Sequence, residues 1–132
     1  QKEDGIAVIL ITHDIGAVSV LADRVMVLYA GQVAEEGGAV DVLTDPIHPY
    51  TRGLLASVPD FRSESAVGTR EIPGLPPNQA SLEAGCRFVD RCDRARPGCR
   101  TRRPELTAVR RGTAPRRVAC PVVLEEEGIA HG

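Results

Sequence analysis

Near the start of the chain lies an unbroken apolar run, Ile6-Ala-Val-Ile-Leu-Ile11. The stretch from Ala7 to Thr12 is rich in β-branched residues and has no polar alternation. That pattern predicts a central strand buried on both faces. His13-Asp14 follows at the strand's C-terminal edge. Asp14 is a good N-cap for a helix running to about Ala22, with Ile15, Val18 and Leu21 forming one apolar stripe. Arg24 to Tyr29 reads as a second strand, Ala30-Gly31-Gln32 as a tight turn, and Gln32 to Glu35 as a short antiparallel partner. Gly37-Gly38 is expected to break the chain. A short helix is expected over Ala39 to Leu43, stopped by Asp45-Pro46. Pro49 can open another helix, with Tyr50, Leu54 and Leu55 on one face.

Beyond residue 57 the pattern changes. Pro59, Pro73, Pro76 and Pro77, with scattered Gly and Ser, predict an extended connection through 58–85. Glu125-Glu-Glu127 reads as an acidic, mobile tail. There is no internal repeat.

Composition refines this picture. The 132 residues are 42% hydrophobic, which argues against wholesale disorder. Aromatics are only 3% with no Trp, so a core must rest on Val, Leu, Ile and Ala. Six apolar residues cannot span a bilayer. The opening Gln-Lys-Glu-Asp lacks the basic-then-apolar pattern of a secretory leader, and a start without Met suggests a piece of a longer chain. The net charge of -2 conceals a basic segment: residues 86–120 hold eleven Arg against Asp90, Asp93 and Glu105.

Candidate chemistry falls in two places. His13 ends a strand where open α/β sheets place ligands, and an imidazole there can donate to a phosphate or polarise a water. Position alone does not separate that role from a surface His beside a helix cap. His48 and His131 carry weaker signals. The second place is Cys86-x5-Cys92-x6-Cys99-x20-Cys120. Disulfides, unrelated thiols, zinc and an iron–sulfur cluster all compete here. Zinc favours closely spaced Cys pairs, which are missing, whereas loops of five and six residues suit a larger cluster without proving it.

Three strings carry a family resemblance. Ile9-Leu-Ile-Thr-His-Asp14, Ala22-Asp-Arg-Val-Met-Val-Leu-Tyr-Ala-Gly31 and Val33-Ala-Glu-Glu-Gly37 resemble, in order and spacing, the C-terminal part of an ABC-transporter ATPase domain. The resemblance implies that His13 is the switch histidine, which contacts the γ-phosphate of ATP and helps order the attacking water. An imidazole N–H suits that task because it can stabilise an anionic oxygen during transfer. No G-x-x-x-x-G-K-[ST] loop, signature motif or strand ending in Asp-Glu is present in these residues. The resemblance therefore implies the C-terminal portion of a longer ATPase, inactive alone.

Asp45-Pro-Ile-His-Pro-Tyr-Thr-Arg-Gly-Leu-Leu55 resembles the segment that opens the C-terminal extension of oligopeptide/dipeptide-type importer ATPases, and Ile72-Pro-Gly-Leu-Pro-Pro77 resembles its linker. His48 and Tyr50 are then architectural. Gly85-Cys-Arg-Phe-Val-Asp-Arg-Cys92, Pro104-Glu-Leu106 and Val118-Ala-Cys120 match the same family's cysteine block. Arg116-Arg117 stand where a His is common in that family. The resemblance implies a [4Fe–4S] cluster on Cys86, Cys92, Cys99 and Cys120, with zinc as the alternative.

The expected fold is α/β: an ABC ATPase (P-loop NTPase) remnant over 1–45, then an irregular cysteine-rich metal-binding extension over 46–132 with its site at 86–120. The resemblance implies ATP and Mg as cofactors of the full-length protein. It implies permease subunits and a second ATPase subunit as partners in a nucleotide-sandwich dimer, with a peptide-binding protein acting indirectly. The implied location is the cytoplasmic face of the cell membrane. The competing readings are a metal-stabilised nucleic-acid-binding module, motivated by the basic segment, and a regulatory domain responsive to cluster state.

Overall fold

A computed structural model describes residues 5–58, 72–78 and 84–129. Asp14 caps α1 (Ile15–Leu21) as expected, its side chain accepting the Ala17 N–H at 3.1 Å. β1 (Arg24–Tyr29) and β2 (Gln32–Gly38) form the anticipated hairpin. Ala30 and Gly31 both take left-handed φ, 46° and 78°, as a two-residue turn between right-twisted strands requires. α2 (Ala39–Thr44) and α3 (Pro49–Ala56) lie where Pro46 and Pro49 place them.

The expected break at Gly37-Gly38 falls later than predicted. β2 runs through Gly38, which then becomes the residue before α2. Space is tight at Gly37: a Cβ would sit 3.1 Å from the Arg116 side chain and 3.2 Å from Val42.

The apolar run near the start departs furthest from expectation. Residues 6–12 form no regular element and pair with no strand among the described residues, and Ile9 and Ile11 are 90% and 93% exposed. A strand buried on both faces needs a neighbour on each edge and a layer on each side, and this stretch has neither. α1 likewise has no buried residue.

The later half is more regular than its sequence suggests. A 3-10 turn (Val89–Arg91) and α4 (Gly98–Thr101) shape the cysteine block. β3 (Thr107–Val109), β4 (Arg116–Val118) and α5 (Pro121–Glu126) follow. β4 pairs antiparallel with β2, giving one sheet in the order β1-β2-β4-β3. This sheet joins residues from both sides of position 45. A bulge between Val27 and Leu28 leaves Ala34 unpaired with β1, and its carbonyl accepts the Ala119 N–H at 2.9 Å. The main core gathers Ile47, Val109, Val118, Val123, Leu124 and Ile129. A second cluster stacks Tyr29, Tyr50 and Phe88, with ring centroids 4.6 to 5.4 Å apart.

Two polar networks join the halves. Glu35 on β2 and Arg116 on β4 form an ion pair with fully buried side chains. The same carboxylate accepts the N–H groups of Ile47 and His48 at 2.9 to 3.1 Å, so it also sets the entry to α3. The second network corrects the expectation of a mobile acidic tail. Glu125 and Glu126 belong to α5 and pair with Arg94 and Arg96. Glu127 receives both terminal nitrogens of Arg52, at 2.7 and 2.9 Å, and one from Arg111. These bonds hold the Glu127 carboxyl down at about 2. His131 lies outside the described residues, as does most of 58–85; what is described of that connection, 72–78, has no regular element.

Candidate functional site

The four cysteines come from three local structures. Cys86 precedes the 3-10 turn and Cys92 ends it. Cys99 lies in α4 and Cys120 is the residue before α5. All four line one small cavity of about 20 Å³, together with His48, Phe88 and Arg94. None is in a disulfide.

Gly85 makes the first approach possible. Its position would put a Cβ 2.2 Å from the Cys99 carbonyl oxygen, so only glycine allows the two backbone segments to touch. The Cys86 N–H then donates to that same carbonyl at 2.8 Å.

Backbone N–H groups are directed at each sulfur. Those of Phe88 and Val89 face Cys86, that of Arg94 faces Cys92, and that of Val123 faces Cys120. The Arg96 N–H donates to Cys99 at 3.5 Å. Such donors stabilise thiolates and commonly surround metal-bound sulfur. Burial opposes them. It pushes the Cys86 and Cys92 thiols up, and Cys120 to about 11. Among the described residues, no group of three or more His, Cys, Asp or Glu stands in a ready ion-holding arrangement. The four thiols share a cavity without closing on a point.

His48 is buried and structural in its contacts. Its Nδ1 accepts the Tyr50 N–H at 3.0 Å, capping α3. Burial lowers its pKa to about 4, with the nearby Arg52 charge adding to the shift. The neutral ring is the form that can accept this bond.

His13 is exposed in the bend before α1, beside Asp14, whose N–H donates to Thr12 Oγ1 at 3.0 Å. It does not line the cysteine cavity. The two candidate sites are thus separate.

Several arginines of the basic segment are engaged within the molecule. Arg91 holds the linker carbonyls of Ile72 and Pro73, Arg100 pairs with Asp90, Arg111 with Asp45 and Arg117 with Glu36. With Arg94, Arg96 and Arg116 also paired, part of the charge that motivated a nucleic-acid module is offset within the molecule.

Sequence reasoning missed the Glu35–Arg116 pair and the acidic latch. The available signal was two adjacent carboxylates, Glu35 at the end of the predicted strand and Glu36 just beyond it. Both are buried there because β4 closes over β2.

This architecture is an α/β hairpin unit carrying a cysteine-bearing extension. The chain belongs to the family "oligopeptide/dipeptide transporter, C-terminal region", whose model matches residues 34–99. It is 43% identical over 122 residues to the oligopeptide transport ATP-binding protein AppD of Bacillus subtilis, covering 92% of this chain and 36% of that protein. It is 38% identical over 128 residues to the dipeptide transport ATP-binding protein DppD of Haemophilus influenzae, covering 97% of this chain and 37% of that protein. The oligopeptide transport ATP-binding protein OppD of Salmonella typhimurium is 45% identical over 104 residues, 79% of this chain and 31% of that protein. The chain therefore spans about a third of the length of these relatives.

Proposed function

We propose that this chain is the C-terminal part of the ATP-binding subunit of an ABC importer for oligopeptides or dipeptides. The observation that carries the reading is the match over residues 34–99 together with transport ATP-binding relatives aligned along most of the chain. The whole subunit would bind ATP and Mg and couple hydrolysis to peptide uptake. It would do so with a second ATPase subunit, permease subunits and, indirectly, a peptide-binding protein, at the cytoplasmic face of the membrane. Among the described residues no helix is long and apolar enough to cross a membrane, in keeping with a peripheral subunit.

Within that reading, residues 1–45 complete the ATPase domain and 46–132 form its extension. The unpaired apolar run 6–12 would gain its ladder neighbours from the rest of the longer subunit. His13 would then stand at a strand end, where its ring N–H can donate to the γ-phosphate. The test uses the whole subunit and this chain in parallel. The whole subunit should hydrolyse ATP and lose about 100-fold or more in kcat with His13→Ala. This chain alone should neither bind nor hydrolyse ATP. Turnover by the isolated chain, or full activity of the His13 variant, would overturn the reading.

Cys86, Cys92, Cys99 and Cys120 would hold a [4Fe–4S] cluster. Four free thiols lining one cavity, one of them accepting the Arg96 N–H, support the reading. When bound, the group would cross-link three short local structures. A single zinc ion is the second reading, favoured by a cavity of only about 20 Å³. Iron, sulfide and zinc content of anaerobically purified protein separates the two. Cys86→Ser and Cys120→Ser should reduce protease resistance of 86–120 before they affect transport.

A further inference from the structure

The sheet order β1-β2-β4-β3 pairs one edge of β3 with β4 and leaves its other edge without a strand among the described residues. The register shows which backbone groups face that open edge. The Ala119 N–H donates to the Ala34 carbonyl at 2.9 Å, and Glu36 opposes Arg117 in the same ladder. Ala119 and Arg117 therefore turn their backbone groups toward β2, and alternation along the strand turns those of Val118 and Arg116 toward β3. Val118 opposes Thr107 and Arg116 opposes Val109, so these are the bonded residues of β3. Ala108, between them, directs its N–H and C=O to the open edge, and the residue is exposed.

The residues around this edge are cationic. Arg102 and Arg103 precede β3 and Arg110 follows it. All three are exposed, and none has an ion pair among the described residues. In this they differ from Arg94, Arg96, Arg111 and Arg117, which have carboxylate partners. Arg110 stands two positions after Ala108, the period of one strand face. Glu105 is the one acidic residue between Arg102 and Arg110.

We propose that β3 receives an extended acidic segment of a partner protein as an added strand. Strand addition draws affinity from main-chain bonds along an open edge and specificity from the side chains beside it. Here the Ala108 N–H and C=O supply the bonds, while Arg102, Arg103 and Arg110 select for carboxylates on the incoming strand. The same cations oppose pairing of β3 with the β3 of a second copy, as like charges on an edge strand do. Nucleic acid, the other anionic macromolecule, has no alternating N–H and C=O groups to pair with a strand edge. The proposal uses neither His13, ATP nor the cysteines, so its outcome is independent of the transporter reading.

The test is an NMR titration of this chain, thiols reduced, with a capped hexapeptide alternating glutamate and valine. The controls are the same peptide with lysine for glutamate, the acidic peptide N-methylated throughout, and a hexathymidylate. At ten times its dissociation constant the acidic peptide should slow hydrogen exchange of the Ala108 amide about tenfold. The lysine peptide should bind about tenfold more weakly or less, since three exposed charge pairs become repulsions. Replacing Arg102, Arg103 and Arg110 together by Gln should erase that preference. Ala108→Pro removes the outward N–H and leaves the bonds of Thr107 and Val109 to β4, a place where an edge strand tolerates proline, and should abolish binding. The methylated peptide tests the same bonds on the unaltered chain and should not bind. No binding of the acidic peptide, equal binding of the acidic and lysine peptides, or undiminished binding of the methylated one would overturn the proposal. So would amide changes confined to residues away from β3, undiminished binding by a folded Ala108→Pro protein, or a dimer paired through β3. Tighter binding of hexathymidylate would assign the cations to nucleic acid and overturn the protein partner.

Discussion

Residues 6–21 and the β2–β4–α5 half have opposite fates despite the sequence signals they carry. The first has the longest apolar run and a clean helical stripe, yet Ile11 in the run and Leu21 in the stripe are 93% and 67% exposed. The second is rich in Arg, Glu and Pro, yet it contains the core and the buried ion pair. Hydrophobicity sets the free energy available from burial, but a backbone must first find ladder partners. β2 finds them on both edges, and its carboxylates are satisfied by Arg116 and Arg117. The run 6–12 finds none among the described residues.

The largest test of this contrast compares Glu35→Ala with Ile9→Asp. Removing Glu35 leaves Arg116 buried without its counter-charge and orphans two backbone N–H groups. We expect a loss of about 3–5 kcal/mol in denaturant unfolding of this chain. Ile9→Asp should change the stability of this chain by less than about 0.5 kcal/mol, as exposed substitutions do. Equal effects would erase the distinction between the two regions.

Next in size is the pH dependence set by His48. The folded chain holds this ring neutral down to about 4, against 6.5 for the free side chain. Between those values the unfolded chain takes up a proton that the folded chain refuses. Stability should therefore fall as pH drops from about 6.5 to about 4, by on the order of 3 kcal/mol, and level off below. His48→Asn keeps a capping acceptor and should flatten that part of the profile.

Gly85→Ala should destabilise by about 1–3 kcal/mol, because the new methyl meets backbone rather than a movable side chain. It should also increase alkylation of Cys86 and Cys99 by a thiol reagent. Unchanged thiol reactivity would mean that the close approach does not organise the cysteine block.

The smallest effect is expected at the acidic latch. Glu127 is partly exposed, so its Arg52 and Arg111 pairs contribute about 1 kcal/mol or less after solvent screening. Its folded pKa is depressed, so the contribution is complete above about 4.5 and lost as pH falls toward about 2. The melting-temperature difference between the parent and Glu127→Gln should shrink over that window and be insensitive to pH above it.

Legibility followed locality. The Asp14 cap, the Ala30-Gly31 turn and the Pro49 helix start depend on residues a few positions apart, and each was readable. The burial of Glu35 and the ordering of Glu127 depend on Arg116 and Arg52, 81 and 75 positions away, and no local pattern announces them. The cysteine spacing marked a site; that four sulfurs reach one cavity required the Gly85–Cys99 contact and the turn before α5.

The sequence by itself determined the hairpin, the short helices, the candidate residues His13 and the four cysteines, and the family to which they point. These follow from local dihedral preferences, caps and motif order. Only the tertiary structure decided which apolar residues are buried, which charges are paired and which cavities exist. Those depend on the partners a strand or a charge meets after the chain has folded, and the period of a sequence carries no record of distant partners.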